Sequence, residues 1–101
     1  MRVIMFFDLP STSKAEVREY SLFVKFIKKH GFSMMQESVY TKLALNQAVV
    51  DKTMAELRKN VPKEGIISIL VLTEIQFNSI ENILGEIKSD VISSDKKVVI
   101  L

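Results

Sequence analysis

Asp8 is the first residue whose setting asks for a chemical reason. It closes the apolar run Val3-Ile4-Met5-Phe6-Phe7 and is followed at once by Leu9 and Pro10. A buried strand ordinarily ends in something that turns or tolerates water. Asp8 can therefore form an Asx-turn or cap with Pro10 and Ser11, the company such residues usually keep. Alternatively the fold lifts a charge to the sheet end for chemistry. No second general base is evident. His30, the single histidine, falls in the last turn of a helical stretch beside Gly31. There its protonated form favours the helix C-terminus, which makes it a cap rather than a catalyst.

A second group recurs at helical spacing. At about 100° per residue, Lys14, Arg18, Ser21, Lys25, Lys28 and Lys29 share one arc. Val17, Tyr20, Phe23, Val24, Phe26, Ile27 and His30 form the opposite, core-facing arc. The cationic arc is either a plain solvated face or a phosphate-contacting one, which binds without reading bases and with a steep salt dependence. Phe6, Phe7 and Tyr40 lack the basic-aromatic signature of an RNA-stacking sheet and read as packed core. Met34-Met35 reads as core or subunit interface.

The elements that must position these groups follow from periodicity. Val3 to Phe7 is a central strand, and Ser11, Thr12 and Ser13 offer N-caps to a helix that Gly31 stops. Phe32–Gln36 and Val39–Ala44 read as two strands with a turn or bulge at Glu37-Ser38. Asn46 caps a second helix carrying Val50, Met54, Leu57 and Val61 inward until Pro62. Residues 65–72, GIISILVL, form another central strand. Thr73 and Gln76 make a T-x-x-Q capping box for a short third helix with stripe Phe77, Ile80, Leu84 and Ile87, and 97–101 is a last strand. The order β-α-β-β-α-β, with that extra helix and strand, predicts an α+β, ferredoxin-like sheet with two helices on one face. Its other face would be bare and apolar, which predicts a two-fold homodimer, the terminal strand lying at the dimer or partner interface.

Composition sets the frame. The 101 residues make one domain, 48% hydrophobic and 26% charged, as in an ordinary soluble chain. No apolar run approaches a membrane span and no signal-peptide layout opens the chain, so no membrane association is expected. With no cysteine, disulfides and thiolate chemistry are excluded, and a cytoplasmic protein is the default. The charge is asymmetric. Residues 1–63 carry 11 Lys and Arg against 6 Asp and Glu, net +5, whereas 64–101 carry 3 against 6, net −3. Two surfaces with different partners would explain this, as would chance.

Four stretches in register carry a family resemblance. They are D-L-P at residues 8–10 with K-F-I-K-K-H-G-F at 25–32, and M-x-Q-x-S-V-Y-x-K from Met34 to Lys42. L-T-E-x-Q-F at 72–77 and S-D-K-K-V-V-I-L at 94–101 complete the set. The chain resembles the small CRISPR-associated adaptation proteins, the "Cas two" family, in the branch found in type II systems. The resemblance implies a ferredoxin-like homodimer that holds double-stranded DNA by its backbone and bridges CRISPR integrase subunits during spacer acquisition. It also implies a magnesium-dependent endonuclease acting on RNA or DNA, with Asp8 as the catalytic and metal residue. Mg²⁺, or Mn²⁺ in its place, suits one or two carboxylates completed by water and phosphate oxygens. A two-fold axis beside the strand would bring Asp8 to its mate. Ser11 and Thr12 could then hold a metal-bound water, although caps are their simpler role. Lys14, Arg18, Lys25, Lys28 and Lys29 become the nucleic-acid contacts, and the acidic second half the integrase dock. Ser21, Leu22 and Val24 stand where the family is usually basic, implying a weaker grip on that face.

Overall fold

A computed structural model describes residues 1–86; Ile87, the stretch Lys88 to Asp95 and the expected strand at 97–101 lie outside the described residues. The chain runs β1 (Arg2–Asp8), α1 (Lys14–Lys29), β2 (Ser33–Gln36), β3 (Val39–Leu43), α2 (Gln47–Lys59), β4 (Ile66–Leu72) and α3 (Glu74–Asn78). The strands form one sheet in the order β2-β3-β1-β4, every neighbouring pair antiparallel. This is the expected α+β, ferredoxin-like arrangement. β1 is flanked on both sides, with Met5 opposite Tyr40 of β3 and Ile69 of β4, whereas β4, expected to be central as well, lies at the sheet edge among the described residues.

Alternation along β1 decides which side chains meet the helices. Val3, Met5 and Phe7 point into a core shared with Phe23 and Ile27 of α1 and Val50 and Leu57 of α2. Phe7 is its aromatic centre, edge-on to Tyr20 and Phe23 and stacked on Tyr40 with centroids 5.8 Å apart. Ile4, Phe6 and Asp8 take the opposite face. There Phe77 and Met35 cover Ile4, while Phe6, Ile66 and Leu70 stay exposed at 44%, 66% and 49%. Among the described residues the uncovered apolar face foreseen from the pattern is present, and α3 closes one end of it.

The helix ends obey local chemistry. Of the three hydroxyls before α1, Ser13 is the N-cap, accepting from the Glu16 N–H while Glu16 accepts from the Ser13 N–H. At the other end the Phe32 N–H donates to the Ile27 carbonyl and the Gly31 N–H to the Lys28 carbonyl, both donors lying just beyond the His30 cap. Gly31 takes φ +95°, and Lys42 Nζ donates to the His30 carbonyl at 2.7 Å. Asn46 caps α2 as expected, and Thr73 and Gln76 form the reciprocal box of α3.

Five expected core positions are corrected, the exposed Phe6 among them. α3 ends at Asn78, where the Ser79 hydroxyl donates to the Gln76 carbonyl at 2.6 Å and competes with continued helix. Ile80 and Leu84 therefore leave the stripe, and Leu84 is almost wholly exposed. Asn60 terminates α2 before Pro62 is reached, so Val61 lies beyond the helix and is exposed. Val17 is exposed as well; the packed face of α1 starts a turn later, at Tyr20.

Candidate functional site

Asp8 is the last residue of β1 and is exposed, on the sheet face away from the helices. β1 sits centrally, so two neighbours hold its end. Asp8 pairs with Ile66 of β4, and the Phe7 N–H donates to the Ser38 carbonyl at 3.1 Å. Ser38 has φ +64°, a left-handed conformation that closes the tight turn between β2 and β3. A shallow cleft opens at this end, lined by Phe6, Asp8, Glu37, Ser38, Ile66 and Ser68 among others. Glu37 is exposed on it, giving the cleft two carboxylates.

The turn reading of Asp8 is not what the loop adopts. Its carboxylate accepts no hydrogen bond among the described residues; Thr12 and Ser13 bond to Glu16 instead. Glu16 Oε1 accepts from the Thr12 N–H, the Thr12 hydroxyl and the Ser13 N–H, at 2.8 to 3.1 Å. These bonds, led by the Ser13 backbone, hold its carboxyl below the ordinary range. Thr12 and Ser13 are thus committed to the start of α1. His30 is the C-cap of α1: its Nδ1–H donates to the Phe26 carbonyl at 3.0 Å and its ring lies against Phe26.

Lys14, Arg18, Lys25, Lys28 and Lys29 are all exposed along α1. None has an ion-pair partner among the described residues, where the single bridge is Arg2 to Glu74. The 9–13 loop places Lys14 and Arg18 at the Asp8 end of the sheet, and the antiparallel return of α1 carries Lys28 and Lys29 to the other. Of the three non-basic positions, Ser21 and Leu22 face solvent, whereas Val24 packs on the core and has a structural reason to be apolar.

Glu37 and Ser38 escape sequence reasoning as site residues. Their signal is that of a turn, and only the β1–β3 register carries that turn to Asp8. No group of three or more His, Cys, Asp or Glu able to hold a metal occurs among the described residues. No helix among them is long and apolar enough to cross a membrane.

Fold and site define a small ferredoxin-like protein with an exposed strand-end carboxylate and a cationic helix that has no ion-pair partners among the described residues. The family described as CRISPR associated protein Cas2 matches residues 1–80. A Treponema denticola protein named CRISPR-associated endoribonuclease Cas2 is 43% identical over 101 residues, covering the whole of both chains. One of the same name from Streptococcus mutans is 40% identical over all of this chain and 93% of its own. The crystal structure of Streptococcus pyogenes Cas2 superposes with a TM-score of 0.64 at 21% identity, over 84% of this chain and all of that one. The chain belongs to the CRISPR-associated Cas2 family.

Proposed function

We propose that this chain serves CRISPR adaptation in the cytoplasm as a homodimer that holds double-stranded DNA by its phosphates and bridges integrase subunits. The observation that carries this reading is the exposed row Lys14, Arg18, Lys25, Lys28 and Lys29, without carboxylate partners among the described residues. Unpaired cations along one helix attract phosphates and read no sequence. The bare face around Phe6, Ile66 and Leu70 supports the dimer, which would double the cationic row into two lines along one duplex.

A second activity is favoured by Asp8 itself and by the endoribonuclease name of the relatives. An exposed carboxylate, with Glu37 on the same cleft, has the donor chemistry Mg²⁺ takes when water and phosphate oxygens complete its shell. Asp8 would hold Mg²⁺ or Mn²⁺, its symmetry mate adding a second carboxylate across the dimer axis. When bound, the cation supplies charge neutralisation on the phosphate and a more acidic water. The chain contributes the anchored end of β1 and, through Lys14 and Arg18, a hold on the flanking phosphates of RNA or DNA.

Replacing Asp8 by Ala separates the two roles. Metal-dependent cleavage is expected to vanish while spacer integration with the partner integrase continues. Loss of integration by a correctly folded Asp8→Ala protein overturns the purely structural account of adaptation, and undiminished cleavage overturns the role of Asp8.

A further inference from the structure

We infer that Gly65 is a positioning residue for Asp8, its missing side chain setting where the strand-end carboxylate stands. This rests on the second activity proposed above, in which Asp8 takes the divalent cation. The chain enters β4 through Gly65 at φ +114°, a backbone conformation L-residues rarely adopt, one residue before Ile66 pairs with Asp8. A Cβ at this position would lie 2.8 Å from the Asp8 carbonyl oxygen, 2.6 Å from Leu9 Cδ2 and 3.2 Å from Leu9 Cα. All three belong to Asp8 or the residue bonded to it. Leu9 has little room to swing aside, since it is buried in the main core with Phe7.

On the opposite flank the Ser38 carbonyl holds the Phe7 N–H at 3.1 Å. Asp8 therefore sits between two turns, one gripping the residue before it and one pressed on the peptide after it. A side chain at position 65 pushes that peptide off β4 while Phe7 stays tied to β3, and the displacement falls on Asp8. The other two described glycines share the positive φ without the crowding. A Cβ at Gly31 would meet the Lys42 side chain no closer than 3.5 Å, and one at Gly85 meets nothing within 4 Å. Gly31→Ala is thus the matched control for the backbone cost alone.

The test compares full-length wild type, Gly65→Ala, Gly31→Ala and Asp8→Ala. Mn²⁺ binding is read by electron paramagnetic resonance, folding by thermal melting, and single-stranded RNA cleavage with kcat and KM resolved. Gly65→Ala should weaken Mn²⁺ binding about 10-fold or more, the scale of losing a group that orients a ligand. Its kcat should fall by about 100-fold with KM within about twofold, the scale of misplacing a reacting group by an ångström. Gly31→Ala should leave both unchanged. Should Gly65→Ala alone not fold, Leu9→Ala with Gly65→Ala removes the Cδ2 clash and keeps the approach to the Asp8 carbonyl. Against Leu9→Ala it should show the same loss of Mn²⁺ affinity. Mn²⁺ affinity and kcat equal to those of the matched control overturn the inference while leaving Asp8 as the metal residue. Wild-type Mn²⁺ binding and cleavage indifferent to Asp8→Ala overturn the underlying reading, and the inference with it.

Discussion

Asp8 and Glu16 stand on either side of the β1–α1 loop, one closing the strand and the other in the first turn of the helix, yet their surroundings differ. Glu16 accepts three hydrogen bonds from Thr12 and Ser13, which hold its carboxyl below the ordinary value of 4.5. A depressed folded-state value stabilises the fold above the unfolded value, and the contribution is lost as pH falls through the folded one. Melting temperatures measured from pH 7 downward should therefore drop more steeply below about pH 4.5 for wild type than for Glu16→Gln. Equal slopes would show that the cap does not sense protonation. Asp8 has no such bonds among the described residues and is exposed to solvent. The sequence D-L-P-S-T-S-K-A-E held the S-x-x-E box that separates these fates, with Ser13 and Glu16 at capping-box spacing. Three consecutive hydroxyls hid which of them was the cap.

α3 is short, and its place depends on one side chain from the far end of β1. Arg2 grips Glu74 with both Nε and Nη2, at 3.1 and 3.0 Å, and lies 4.2 Å over the Phe77 ring. Phe77 in turn buries Ile4, so the staple keeps the second hydrophobic cluster closed. The pair is partly exposed, and a double-mutant cycle on Arg2→Ala and Glu74→Ala should return a coupling of about 0.5–1 kcal/mol. A coupling near zero would mean that Phe77 alone anchors α3. Phe77→Ala should cost more, about 3 kcal/mol in urea unfolding, because it opens a cavity over Ile4. The capping box made α3 legible at its start. Its end was not, because the apolar spacing Phe77, Ile80, Leu84 continues in sequence past the point where Ser79 diverts the backbone.

At the scale of the molecule, the sheet has one face sealed by α1 and α2 and, among the described residues, the other open around Phe6, Ile66 and Leu70. Leu70→Glu should therefore leave the monomer fold nearly unchanged, since Leu70 is half exposed there. It should convert a sedimenting dimer to monomer if this face is the dimer interface. A wild type that sediments as a monomer at micromolar concentration would refute the dimer. On the helical side, Lys14→Ala with Arg18→Ala should weaken duplex binding about equally across sequences and reduce the salt slope by about 2 per chain. An unchanged slope would return α1 to an ordinary solvated face.

The sequence by itself determined the order of elements, because period 2 and period 3.6 are local properties of apolar spacing. It also determined the helix starts at Asn46 and Thr73, which rest on bonds within four residues. The terminal position of Asp8 on a central strand was equally readable, since Pro10 allows no continuation. Tertiary structure decided what surrounds that carboxylate. Glu37 and Ser38 reach it across the β1–β3 register and Gly65 through β4, partners distant in sequence by about 30 and 57 positions. Such contacts depend on how strands pair, and no local pattern of side chains encodes a distance between two turns. The same holds for Arg2 and Glu74, two ordinary charges until β1 and β4 align Arg2 with Leu72 and set the start of α3 beside it.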